Sequence, residues 1–492
     1  MLKRLAIFVH RWLGVALCLV FLLWFPSGIV MMYWGYPSVT VADQLRHSPV
    51  LDPASIALSP GDAYARLDVA EPPQEIRLNS FDGRPVYRFR LARGEAVVYA
   101  DTGEERIDVS PELMRRVAAA WSGQPPGLAA VESLDDVDQW TLQGVYQALG
   151  PLSKFSWPDG QQVYVSAASG EVVQYTTRAT RFWAYAGAIP HWLYFTPLRK
   201  HGSQWSRVVI WSSGIGTLAV CLGIVVGVWM YSPARAYRYE GAPSRIPYRG
   251  QKRWHMILGL IFGVGAATWA FSGMLSMEPF PAPRREPPGP VSPDAGASLG
   301  RALREPLDLE AFSRLPPRQA LSRQGGLKVK DLEFVSFPGR PAYLATIADG
   351  ETRVLSLDGT LGVEFDRQGL AELVTAAVAP VGPVEVRLLD RYDAYYLDRR
   401  GERPLPVLRV RLNDPEQSRY YVDPKTARVV GGYSTSRWMT RWLYHGLHSL
   451  EFPWLYDNRP LWDIVVITFM LGGTALVVTS VVLAWRVVWR RH

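Results

Sequence analysis

Four stretches of this chain carry no Asp, Glu, Lys or Arg: residues 12–42, 208–234, 254–277 and 464–485. A helix needs roughly 20 residues to cross a hydrocarbon core about 30 Å thick, so each stretch can hold a membrane span. The reading that follows is a four-transmembrane-helix bundle. Its first unit is 1–34, a helix with a cytoplasmic N-terminus, and its other spans are 208–231, 254–277 and 464–485. A basic loop, 232–253, joins the middle spans, and 486–492 is a tail. The long segments 35–207 and 278–463 are polar, Pro-rich and strand-like, and read as two α+β domains outside the membrane.

Orientation follows from the cations. The short loop carries Arg235, Arg238, Arg245, Arg249, Lys252 and Arg253 against Glu240, while the ends add Lys3, Arg4, Arg11, Arg486, Arg490 and Arg491. The positive-inside rule puts these clusters in the cytoplasm and both long segments outside it. The expected location is therefore a bacterial inner membrane, multi-pass, N-in and C-in, with periplasmic domains. A cleaved signal peptide is the competing reading of the N-terminus. The apolar run is too long for that, and no small-residue cleavage site closes it before Trp34.

The net charge of +8 rests on only 20% charged residues, too dilute for a nucleic-acid binder. Cys18 and Cys221, the two cysteines, lie inside spans and form no secreted disulfide framework. No Cys-x-x-Cys-His occurs, so a c-type cytochrome, with covalent haem attachment, is excluded.

Self-comparison is more informative. The first span runs His10-Arg-Trp-Leu-Gly14, then Trp24-Phe-Pro-Ser27-Gly28; the third runs His255-Met-Ile-Leu-Gly259, then Trp269-Ala-Phe-Ser272-Gly273. The offsets from His to Gly, Trp, Ser and Gly are identical. The second and fourth spans are each preceded by a His in an aromatic segment, His191 and His445, and each enters through Trp-x-x-Val-Val-Ile at Trp205 and Trp462. Here the His-to-Trp spacing differs, fourteen against seventeen. The chain reads as a tandem duplication of span, outer domain, span. Hairpin-like units recur in the outer segments, around Val98, Val163, Val354 and Tyr420. Helical patterns led by a capping residue are expected at Ser110–Trp121 and Asp366–Ala379.

The duplication yields two histidine pairs, His10 with His255 at the cytoplasmic ends and His191 with His445 at the outer ends. An ionisable group repeated at one depth is costly in a membrane and tends to face the bundle interior. Zinc wants four ligands, whereas two imidazoles alone suit the axial positions of haem iron. On a helical wheel Gly14 and Trp24 lie about 40° either side of His10, and Gly28 falls in line with it about 27 Å further along. Gly259, Trp269 and Gly273 repeat this around His255. Two readings of these glycines stand: space for a bulky planar cofactor, or close helix packing through small residues. Arg11 and Arg253 flank the inner pair, as partners for haem propionates or as topology determinants. His201 and His448 are unpaired extras at the outer face, and either could replace an outer ligand; His448 lies one helical turn from His445. His47 and His492 read as solvated.

His-Arg-Trp-Leu-Gly at 10–14, Phe-Pro-Ser-Gly at 25–28, Leu-Tyr-His-Gly at 443–446 and the outer repeat units resemble the PepSY-associated transmembrane helix proteins. The resemblance covers nearly the whole chain, and its relatives include inner-membrane ferric-siderophore reductases with two b-type haems, each held by two His. It implies two haem b groups here, on His10, His255, His191 and His445, and electrons that cross the membrane through stacked haems to reduce iron(III) on the periplasmic side. The acceptor would be a ferric siderophore or another periplasmic oxidant. No Rossmann fingerprint, P-loop or hydrolytic triad motif occurs. The donor is therefore expected to be a membrane quinol or a separate cytoplasmic partner. A rival reading from another class makes the chain a haem-free, membrane-anchored regulator of periplasmic proteolysis or envelope assembly.

Overall fold

Charge-free sequence forms long helices because only internal hydrogen bonding satisfies a backbone placed in lipid. In the computed structural model the four spans are Leu2–Met31, Gly202–Met230, Gly250–Leu275 and Leu461–Trp489. The structure describes residues 1–489 except 93, 107, 281–298, 301–302, 304–306, 338–339 and 379–381. His492, Arg490 and Arg491 lie outside the described residues. The first helix starts well before its charge-free run, carrying Lys3, Arg4 and Arg11; long basic side chains can reach water while their stems stay on apolar surface. Each span packs on two others: the first on the second and fourth, the third on the same two. The first and third spans therefore stand diagonally across the bundle.

Both long segments emerge from one end of this bundle, called here the sheet end; the chain's N-terminus and the short connector mark the other. The connector folds as a small hairpin of Tyr237–Tyr239 and Ala242–Ser244. The first long segment supplies three antiparallel strands, β1 to β3 (Glu75–Phe81, Arg84–Leu91, Gly94–Tyr99). The second supplies four, which we call β8 to β11 after the four strands introduced next (Asp331–Phe337, Arg340–Ala348, Glu351–Ser356, Leu361–Gly362). Strands β1 and β8 pair antiparallel, Ile76 opposite Phe334 and Leu78 opposite Leu332, making one seven-stranded sheet across both segments. Its face buries Ile76, Leu78, Tyr87, Phe89, Phe312, Phe334 and Tyr343. At the seam Asp331 accepts from Arg77 and Asn79, and Arg428 reaches Glu333.

Each segment also forms a four-stranded antiparallel sheet of its own. In the first it is β4 to β7 (Ala130–Leu134, Leu152–Ser156, Gln162–Ser166, Val172–Thr176). In the second it is β12 to β15 (Pro383–Leu389, Val407–Leu412, Arg419–Asp423, Arg428–Tyr433). The expected helices are present as Pro111–Ser122 and Arg367–Ala377. Ser110 and Asp366 cap them by accepting from the amides of Leu113 and Gly369, satisfying backbone donors that the first turn leaves free; residue 379 lies outside the described residues. After β7 and after β15 the chain returns to the bundle through a helical turn that carries histidine: Ala188–Trp192 in the first half, and a π-helix, Met439–Gly446, leading to His448 in the second.

Candidate functional site

Diagonal placement of the first and third spans brings His10 and His255 face to face near the connector end, ring centres 6.1 Å apart. His10 Nδ1 lies 2.8 Å from the Ala219 carbonyl of the second span. A carbonyl only accepts, so Nδ1 carries a proton, and the neutral ring then keeps its lone pair on Nε2. His255 Nδ1 meets Thr479 Oγ1 at 3.1 Å, and that hydroxyl already donates to the Leu476 carbonyl. It must therefore accept from His255, leaving the second Nε2 with its lone pair as well.

At the sheet end the facing rings are His191 and His448, 6.0 Å apart. His191 Nδ1 lies 3.1 Å from the Trp24 carbonyl and 3.2 Å from Ser27 Oγ. His448 Nδ1 lies 3.1 Å from Ser272 Oγ, which donates to the Thr268 carbonyl. Again Nδ1 is the donor and Nε2 is the free nitrogen in both rings. Both residues lie outside the spans, and burial pulls their imidazoles down, His191 to about 4 and His448 to about 3. They are neutral at physiological pH, the form that binds metal.

His445, the expected partner of His191, points elsewhere: its side chain is 44% exposed and Nδ1 lies 3.7 Å from Glu451. The geometry pairs His191 with the alternative, His448. A signal for this was present in the spacing. Fourteen residues separate His191 from Trp205, and fourteen separate His448 from Trp462. Both tryptophans repeat one contact, donating Nε1–H to the carbonyl just after the histidine, Trp192 at 2.8 Å and Ser449 at 3.0 Å. The serines before Gly28 and Gly273 were likewise repeated, and they turn out to hold the two outer rings.

Each pair opens into a cavity. The inner one, of about 490 Å³, is lined by His10, His255, Gly14 and Gly259, with Arg11, Lys252 and Arg486 among its lining. Arg253 is not there: it bonds Ser244 Oγ at 3.1 Å and lies over Tyr239, bracing the connector. The outer cavity, of about 300 Å³, is lined by His191, His448, Trp24, Trp269 and Gly273. Both tryptophans thus belong to the outer site, and Trp269 donates to the His448 carbonyl at 2.9 Å.

One glycine makes room for a ring: a Cβ at Gly223 would stand 2.5 Å from His10 Cε1, whereas one at Gly28 or Gly273 would meet the Cε1 of His191 or His448 at an ordinary contact distance of 3.5 Å. Gly14 has nothing within 4 Å, so it borders open space and not a packed helix. His201 is exposed at the start of the second span. His47 is exposed and stacks on Trp121 at 4.0 Å.

The donor set discriminates among metals. Among the described residues no group of three or more His, Cys, Asp or Glu could hold a metal ion, so a four-ligand zinc shell does not form here. Metal–nitrogen bonds of about 2 Å, with each ring centre about 1 Å behind its nitrogen, put two rings sharing one metal about 6 Å apart. Both pairs have that separation. Two nitrogens and a neighbouring cavity fit a metal that brings its other ligands with it, as haem iron does.

The model of a family described as PepSY-associated TM region matches residues 8–302, more than half of the chain. No curated protein matches it.

Proposed function

Since the chain belongs to the family of PepSY-associated transmembrane regions, we propose that it is a di-haem b membrane oxidoreductase, carrying electrons across the bilayer to a ferric siderophore or ferric iron. The observation that carries this reading is the pair of facing histidine couples, each with both Nδ1 atoms engaged and both Nε2 lone pairs free. Haem, when bound, supplies a reversible one-electron couple that no side chain here offers.

His10 and His255 would hold one group, His191 and His448 the other. The Ala219 and Trp24 carbonyls, Thr479, Ser27 and Ser272 fix the tautomer and orientation of the ligating rings, the task that outer partners of a ligating histidine perform. Arg11, Lys252 and Arg486 would pair with propionates at the inner site. Trp24, Trp269 and the surrounding apolar side chains keep water from the outer rings.

We further infer that the chain is a tandem duplication. The recurrence of Ser27 on His191 as Ser272 on His448 supports this, as does the recurrent Trp-to-carbonyl contact. The basic connector favours a cytoplasmic face at that end and supports a periplasmic position for the sheets of an inner-membrane protein. On this orientation the acceptor meets the sheet end and the donor, a quinol or a separate cytoplasmic partner, the connector end.

The test is an oxidised-minus-reduced absorption spectrum of the purified full-length protein from haem-replete cells. A Soret band and sharp α bands equivalent to two haems per chain are expected. A featureless difference spectrum would leave the membrane fold without this activity.

A further inference from the structure

The two cavities are separated by very little. Among the described residues only Phe21, Phe25 and Ala266 line both. The two phenyl rings stack with centres 6.1 Å apart, and Phe25 meets Trp269 edge-on at 6.1 Å. Both are buried, Phe21 to 9% and Phe25 to 4% exposure.

The neighbouring spans are cut away where these rings sit. A Cβ at Gly473 of the fourth span would stand 2.3 Å from Phe25 Cε1, and one at Gly216 of the second would stand 2.9 Å from Phe21 Cζ. Neither glycine lines either cavity. Their absent side chains therefore serve the rings and not the open space.

The internal repeat breaks at the same level. Phe21 and Phe25 follow His10 by eleven and fifteen residues; the positions that follow His255 by eleven and fifteen are Ala266 and Ala270. A large residue on one span thus answers a small one on the other. Two phenylalanines at the bundle centre facing two more would not fit, and four alanines would leave one continuous hole.

We infer that Phe21 and Phe25 form a dry partition that divides the bundle interior into two compartments, each taking its own planar macrocycle. The inference rests on the functional reading above. Each ring lines both compartments, so one substitution in the wall reaches both sites, whereas a histidine substitution reaches only its own.

The test is titration of hemin into the full-length protein purified without haem, followed in the Soret band. The wild type is expected to take up two equivalents, and His10→Ala one. Phe25→Ala is expected to weaken both equivalents, each by about tenfold, through loss of an apolar wall on either side. Phe25→Leu, which refills most of the volume, should bind both nearly as the wild type does. Gly473→Ala, which pushes the ring from outside both cavities, should weaken both, and adding Phe25→Leu should restore them. Weakening of one equivalent alone by Phe25→Ala, or of neither, overturns the partition while leaving the ligand assignment standing. A wild type that binds no hemin overturns both.

Discussion

Replacing His448 by Ala should remove one of two haems and spare the other, whereas His445→Ala should spare both; the α-band amplitude of the difference spectrum reads this directly. The expectation comes from orientation: His448 faces His191 at 6.0 Å, and His445 turns toward Glu451. Ser272→Ala removes one of the acceptors that hold the His448 ring, leaving the Trp269 backbone, and should weaken binding toward the lower end of the about 10- to 100-fold that such outer-partner losses cause. Retention of the outer haem under hemin dilution would contradict that role. At this scale the facing of the inner pair was legible, because His10 and His255 head stretches with the same His–Gly–Trp–Ser–Gly spacing. The outer pair was legible only in part. A helix register cannot be read through a π-helical turn, whose extra residue per turn moves every following side chain around the axis. Counting back from Trp462 to the histidine fourteen residues earlier avoids the problem, since that stretch lies wholly after the π-helical turn.

Among elements, the spans contact through glycines that do different jobs, and substitution separates them. Gly223→Ala should cost the inner haem, because its Cβ would press within 2.5 Å of the His10 ring. Gly14→Ala should be tolerated without haem, since nothing lies within 4 Å. Gly472→Ala would press on Phe262 at 2.4 Å, an overpacking that costs about 1–3 kcal/mol and should lower the melting temperature of the haem-free protein; an unchanged melting curve would contradict the packing described. The spans themselves were legible from charge-free length. Their true ends were not, because Lys3, Arg4 and Arg11 continue the first helix where a count of charges stops it. The caps Ser110 and Asp366 were legible because a short polar side chain before an amphipathic run has few other uses.

For the molecule as a whole, the central sheet makes one body of two segments that the sequence presents as separate. Each segment alone would expose a strand edge, β1 or β8, rich in unpaired backbone groups. Halves of the chain divided within the connector and expressed together should therefore copurify, and Leu332→Ala at the seam, costing about 2–5 kcal/mol, should weaken their association. Independent purification of both halves as stable proteins would contradict the shared sheet. This pairing left no local mark: a strand's pattern shows which face is buried, not which distant strand lies beside it. Each histidine pair has the same bipartite character, since His255 and His448 come from the half that lacks His10 and His191.

The most direct test of the central claim is an experimental structure of the protein isolated from haem-replete cells. The account requires planar density between Nε2 of His10 and His255, and a second between Nε2 of His191 and His448, with His445 free. Rings turned to lipid or in mutual contact, with side chains or acyl chains filling both cavities, would contradict it.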